Sequence, residues 1–155
     1  MAGRRREIAM SQAEIDAFLA ERHTATMCTM NWDGTIHAVA MWYGFLDGRL
    51  AIQTKAKSQK ARNLARDPRI TCLVEAGEHY HELRGVELVG KAVQVGDPEE
   101  VFRVGASVYD RYVAPFREEA REAVETMLRK RVAFVLEVER TVSWDHRKLA
   151  DSTPR

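Results

Sequence analysis

Two Asp-Gly pairs, Asp33-Gly34 and Asp47-Gly48, restrict this chain more than any other feature, because each falls between runs of strand-forming residues. Asp-Gly supplies the backbone freedom of a tight hairpin turn, so the flanking runs are expected to lie antiparallel. Thr24–Met30 reads as a first strand, about Thr35–Phe45 as a second, and Arg49–Thr54 as a third. Three consecutive strands with tight turns predict an antiparallel meander.

The remainder alternates helices and strands. Ser11-Gln12-Ala13-Glu14 has the capping-box pattern, with Met10 and Ile15 placed as a hydrophobic staple, and opens a short helix ending near Arg22. Ser58 caps a helix carrying Ala61, Leu64 and Ala65 on one face, which Asp67-Pro68 stops. Arg69–Glu75 is a mostly apolar strand, and a long strand over about Glu82–Val95 carries Gly85 and Gly90. Glycine weakens a strand unless a bulge, a corner or a close approach requires it, so this strand is expected to bend around a barrel. Asp97-Pro98-Glu99-Glu100 starts another helix, Pro115 a further one running to Leu128, and Val132–Val138 is the last strand. About six strands with peripheral helices predict an α+β fold. One domain is expected over residues 11–147, with residues 1–10 and 148–155 as flexible ends.

Composition narrows the function classes. The 155 residues hold 24 basic and 23 acidic side chains, a formal charge of +1, which argues against a surface built wholly for nucleic acid or anionic membrane. No stretch approaches the roughly 18–20 apolar residues of a membrane span. Arg4, Arg5 and Arg6 are followed by Ser11, Gln12, Glu14 and Asp16, not by the apolar run of a signal peptide. Cys28 and Cys72 have no metal-binding or disulfide-framework spacing. A cytoplasmic protein is expected.

Charge is nonetheless uneven. Lys55–Arg69 holds Lys55, Lys57, Lys60, Arg62, Arg66 and Arg69 against Asp67, a local charge of +5, whereas Leu73–Glu100 carries −5. The basic run sits where a strand ends and a helix begins, a place that favours phosphate or carboxylate. A solvated helix face is the alternative reading. In Thr35–Phe45, Ala38, Ala40 and Gly44 are small positions among large ones, suited to a flat ligand lying against the strand; a strand buried on both faces would look the same. His79 and His81 have no third ligand at a recognised spacing, and no metal site is expected. No G-x-S-x-G, P-loop or G-x-G-x-x-G motif occurs.

The basic run and the small-residue strand, in this order, resemble the split β-barrel flavin and deazaflavin oxidoreductases, the superfamily of pyridoxamine 5′-phosphate oxidase. The resemblance covers about residues 11–147. It rests on Gln53-Thr54, Ser58-Gln59-Lys60, Leu64-Ala65-Arg66-Asp67-Pro68-Arg69 and Arg84-Gly85-Val86-Glu87-Leu88-Val89-Gly90. It implies a six-stranded antiparallel split barrel, homodimeric, with cofactor sites at the subunit interface. Gln59 stands where the oxidase has arginine, and Ala38 and Tyr43 stand where it has arginine and lysine beside FMN. The added Lys55 and Lys57 are more like the branch that uses the deazaflavin coenzyme F-420. The resemblance therefore implies that Gln53, Thr54, Lys55, Lys57, Ser58, Gln59, Lys60 and Arg62 hold the anionic part of that cofactor. Val39, Ala40, Met41 and Trp42 would lie along its ring. The implied reaction is hydride transfer to an electron-poor acceptor, such as an activated alkene or a quinone-like ring, with no catalytic side chain and no metal nominated. Tyr109, Tyr112, Trp144 and His146 are candidates for the substrate mouth. FMN in place of the deazaflavin, and a non-catalytic carrier of cofactor, haem or bilin, are the alternatives.

Overall fold

The structure is a computed structural model and describes residues 2–21 and 23–150. In chain order its elements are α1 (Ala2–Ile8), α2 (Gln12–Ala20), β1 (Ala25–Met30), β2 (Ile36–Met41), β3 (Gly44–Leu46), β4 (Arg49–Lys55), α3 (Gln59–Arg66), β5 (Arg69–Ala76), β6 (Arg84–Val95), α4 (Pro98–Tyr112), α5 (Arg121–Leu128), β7 (Arg131–Asp145) and α6 (Arg147–Ala150). The capping box forms: Ser11 Oγ accepts from Glu14 N–H at 3.2 Å, and the Glu14 carboxylate accepts from Ser11 N–H at 2.6 Å. Ile15, Phe18 and Leu19 of α2 are buried.

All strand pairings are antiparallel, in a seven-stranded sheet of order β2-β1-β5-β6-β7-β4-β3. The Asp33-Gly34 and Asp47-Gly48 hairpins are present, joining β1 to β2 and β3 to β4. The expected meander is not. The run read as one strand over about Thr35–Phe45 breaks at Trp42-Tyr43, and its two halves lie on opposite edges of the sheet. The break raises the strand count from the expected six to seven. Its cause lies in α4. The Tyr43 N–H donates to the Tyr112 hydroxyl at 3.4 Å, and Arg111 Nε donates to the Tyr43 carbonyl at 2.9 Å. The backbone groups of Tyr43 are therefore spent on a helix and not on a neighbouring strand.

This joint shapes the molecule. Two residues link the ends of β2 and β3, so Met41 and Gly44 lie within about 11 Å, three Cα steps. A sheet whose opposite edges are tied that closely must curl, and the result is a split barrel. Tyr43, Met27, Ile52, Val74 and Val86 are among its fully buried side chains. Of the two glycines of β6, Gly90 serves the curl and Gly85 makes room for a ring. The β6–β7 register shifts between Val89 and Gly90, where a Cβ would strike the Glu137 carbonyl, while Gly85 lies beneath the Trp144 ring. The expected bend is thus a bulge, with a close ring contact beside it.

Two boundaries differ from expectation. β7 continues through Glu139–Asp145, whose polar residues pair with β6 although they read as a tail. Helix α5 starts at Arg121, because the Phe116 N–H donates to the Asp110 carboxylate at 2.8 Å and holds that segment to α4. At the two ends of the described residues lie α1 and α6, and Lys148 Nζ donates to the Ala9 carbonyl and to Glu14, both at 2.8 Å. Residues 151–155 lie outside the described residues. No helix among the described residues is long and apolar enough to cross a membrane.

Candidate cofactor site

The start of the basic run folds into a compact strand–turn–helix corner. Ser58 is the N-cap of α3, its Oγ accepting from Ala61 N–H at 3.2 Å. The buried Thr54 at the end of β4 places its Oγ1 3.1 Å from Ser58 Oγ and accepts from Lys60 Nζ at 3.1 Å. Register then adds a residue that the sequence reading missed. β4 pairs with β7, setting Lys55 opposite Arg131, and Arg131 Nη1 donates to Gln53 Oε1 at 3.0 Å. The Ala56 N–H donates to the Lys130 carbonyl at 2.9 Å, tying the basic triplet Arg129-Lys130-Arg131 to the Lys55–Ser58 turn. That triplet ahead of a strand was the available signal.

Among the described residues no carboxylate pairs with Lys55, Lys57, Lys60, Arg62 or Arg131. Burial, and then the nearby Arg131 charge, push the Lys60 ammonium below its ordinary range. Cations gathered without acids repel one another, and an anion placed among them would remove that cost. Lys55 and Lys57 are exposed at the rim. Arg62 is also exposed, but two helical residues beyond Lys60 it points roughly 200° away around α3 and is not brought to Thr54. Gln59 turns its amide to Asn63 at 2.9 Å.

The second part of the site is β2. It is an edge strand, so alternate residues direct backbone N–H and C=O away from β1. Ile36, Ala38 and Ala40 share its exposed face, with Ile36 66% exposed, and Trp42, just past the end of the strand, is 48% exposed. Val39 and Met41 point the other way and pack against the core. The strand is therefore not buried on both faces. It presents Ala38 and Ala40 outward beside Ile36, so that of the four expected ring contacts Ala40 lies on that face, Val39 and Met41 turn to the core, and Trp42 lies past the strand's end. Beside Ile36 the same sheet face holds a cleft of about 330 Å³ lined by Cys28, Met30, Thr71 and Val89 among others.

Trp42 is held in place. Its ring stacks on Tyr112 at 4.8 Å and 2°, and the Tyr112 hydroxyl donates to the His23 carbonyl at 2.5 Å. Arg111 beside it donates to the carbonyls of Leu19, Ala20 and Glu21 at 3.2, 3.1 and 2.9 Å, so its charge meets the carbonyl end of α2. The four candidates for a substrate mouth are not gathered into one cluster. Tyr112 meets Trp42, Tyr109 packs on Phe116, Trp144 covers Gly85, and His146 meets Tyr80. A larger cavity of about 700 Å³ lies elsewhere, under α2 and lined by Ile15, Leu19, Leu50, Leu88 and Leu136 among others, and it touches none of the cation cluster.

The family model for pyridoxamine 5′-phosphate oxidase matches residues 11–145. The chain belongs to the pyridoxamine 5′-phosphate oxidase family. Among solved structures it is similar to a conserved hypothetical protein from Mycobacterium tuberculosis, at 47% identity and a TM-score of 0.90, over 96% of this chain and 92% of that one. It is similar to an F-420 reductase at 27% identity and a TM-score of 0.60, over 81% and 94%. It shares its fold with HutZ, the haem storage protein from Vibrio cholerae, at 19% identity and a TM-score of 0.66, over 85% and 94%. No curated protein matches the chain. Thr54 lies in hydrogen-bonding reach of both Ser58 and Lys60. No group of three or more His, Cys, Asp or Glu side chains among the described residues could hold a metal ion. Burial pushes the Cys72 thiol up to about 12, which leaves it inert.

Proposed function

We propose that this chain is an oxidoreductase that uses reduced coenzyme F-420 to deliver hydride to an electron-poor small molecule, an activated alkene or a quinone-like ring. The observation that carries the reading is a set of cations with no carboxylate partner among the described residues: Lys60 donates to Thr54 beside Ser58, Arg131 donates to Gln53 one residue earlier on β4, and Lys55 and Lys57 are exposed at the strand end and turn. The donor set fits a phosphoester continued by carboxylates, since it pairs a serine-capped helix start with cations spread over two strands and a turn. Similarity to an F-420 reductase supports the same choice.

Coenzyme F-420, when bound, supplies the hydride chemistry. The chain's own residues bind, orient and exclude water. Thr54, Ser58, Lys60 and Arg131 would hold the phosphate, Lys55 and Lys57 the carboxylates beyond it. The outward backbone groups of β2 would bond the polar edge of the ring, with Ala38 and Ala40 leaving room for its face. The exposed apolar residues of β2, continued by the half-buried Met30 and Cys28 of β1, leave a sheet face that a second copy of the chain would cover, making a homodimer with its sites at the interface.

A titration of the purified chain with coenzyme F-420, FMN and haem at one ionic strength tests the reading. The deazaflavin should bind tightest, and its affinity should fall as salt rises. Equal or tighter binding of FMN would replace the cofactor, and binding of haem alone would make the chain a carrier.

A further inference from the structure

Asn63 is fully buried, yet every hydrogen-bonding position of its amide is used. Its Nδ2 donates to Thr29 Oγ1 at 3.0 Å and to Asn31 Oδ1 at 2.9 Å, while its Oδ1 accepts from Gln59 Nε2 at 2.9 Å and from Arg66 Nη2 at 3.2 Å. Two donors and two lone pairs exhaust the amide's capacity. Thr29, opposite His37 of β2, and Asn31, at the base of the β1–β2 turn, stand on one side of this amide. Gln59 and Arg66 belong to α3, and Arg66 also donates to the Met30 carbonyl at 2.6 Å.

We infer that Asn63 is a positioning residue that sets the spacing between the anion-holding and ring-holding halves of the cofactor site. This rests on the reading of the site given above. α3 carries Ser58 and Lys60, and Lys60 lies only about 4.5 Å along the helix axis from Asn63. The β1–β2 hairpin carries the outward Ile36, Ala38 and Ala40. Apolar contacts of Ala61 and Leu64 hold α3 to the barrel but tolerate sliding, because dispersion is non-directional. A buried amide with four satisfied bonds does not tolerate it, since any shift leaves polar groups unpaired in low dielectric. A ligand gripped at both ends gains from linkage only while the two grips keep the ligand's own spacing.

The test is a set of binding titrations on wild type, Asn63→Ala and the near-isosteric Thr29→Val. The probes are coenzyme F-420 and its phosphate-free deazariboflavin core, FMN and riboflavin, and inorganic phosphate. Whole cofactor should weaken roughly 10-fold or more in Asn63→Ala, and less in Thr29→Val, at the low end of the gain that linkage provides. The phosphate-free cores and inorganic phosphate should bind each variant as they bind wild type, because each half of the site is intact. A merely structural role would weaken fragments and whole cofactor alike, and that result overturns the inference. So does whole-cofactor affinity unchanged in both variants. Should Asn63→Ala not fold, Thr29→Val carries the same comparison. Wild type that binds phosphate but neither whole cofactor would overturn the functional reading, and the inference with it, an outcome distinct from both results above.

Discussion

On the proposed reading of the site, Lys60 pulls stability and binding in opposite directions. Half-buried and facing Arg131, its ammonium is disfavoured by the fold, yet it is the charge closest to Thr54 and Ser58. Lys60→Met should therefore leave the melting temperature unchanged or raised, while cofactor affinity falls by roughly 10-fold or more, the loss of one charged hydrogen bond. Thermal unfolding and a ligand titration on the same samples check this, and a destabilised variant that still binds would refute it. The pH dependence follows in sign. A lysine whose folded value is lowered binds fewer protons folded than unfolded, so its contribution to stability rises with pH between the lowered value and the ordinary 10.5. Over the same alkaline window Lys60 loses its charge, and anion affinity should fall with it. Comparing wild type with Lys60→Met isolates both effects from other titrating groups.

At the scale of elements, the bend of β6 and the break between β2 and β3 do most to shape the site. A side chain at Gly90 meets the Glu137 carbonyl, which is backbone and cannot step aside, whereas one at Gly85 meets the ring of Trp144. Gly90→Ala should thus cost more than Gly85→Ala, on an overpacking scale of about 1–3 kcal/mol. Urea unfolding at constant m-value measures both, and only Gly85→Ala should shift the Trp144 emission. Arg111 holds the break through planar donors aimed at four carbonyls. Arg111→Lys offers three donors from one point and should loosen Trp42 from Tyr112, reducing the near-ultraviolet circular dichroism of the stacked pair. An unchanged signal would show that the stack stands without it.

At the scale of the whole molecule, the outer face of β2 and β1 is the apolar surface suited to a second copy of the chain. Ile36 at 66% exposure sits beside Ala38, Ala40 and Met30 on a face continued by the exposed Trp42. If a second copy covers it, Ile36→Lys should convert the dimer into monomer and weaken cofactor binding with it, since the site would lose its covering half. Sedimentation velocity with a parallel titration checks the pair of effects. Wild type that sediments as a monomer while binding cofactor fully would remove the dimer from the account.

Local chemistry was legible in the sequence. The Ser11 capping box, the Asp-Gly hairpins and the Ser58 cap each depend on residues close in the chain, whose conformational preferences act whatever surrounds them. So was the basic corner, because Thr54, Ser58 and Lys60 lie within one strand–turn–helix unit. Arg131, 78 residues from its partner Gln53, reaches that corner only through β4–β7 register. Asn63 looks like a surface polar residue until α3 docks on the hairpin. The strand break at Trp42-Tyr43 was hidden for the same reason: strand-forming composition says what a segment prefers, and α4 supplies the hydrogen bonds that overrule it. The sequence by itself determined the turns, the caps and the uneven charge. Only the tertiary structure decided which edge each half of the broken strand joined, because pairing depends on partners that no local propensity specifies.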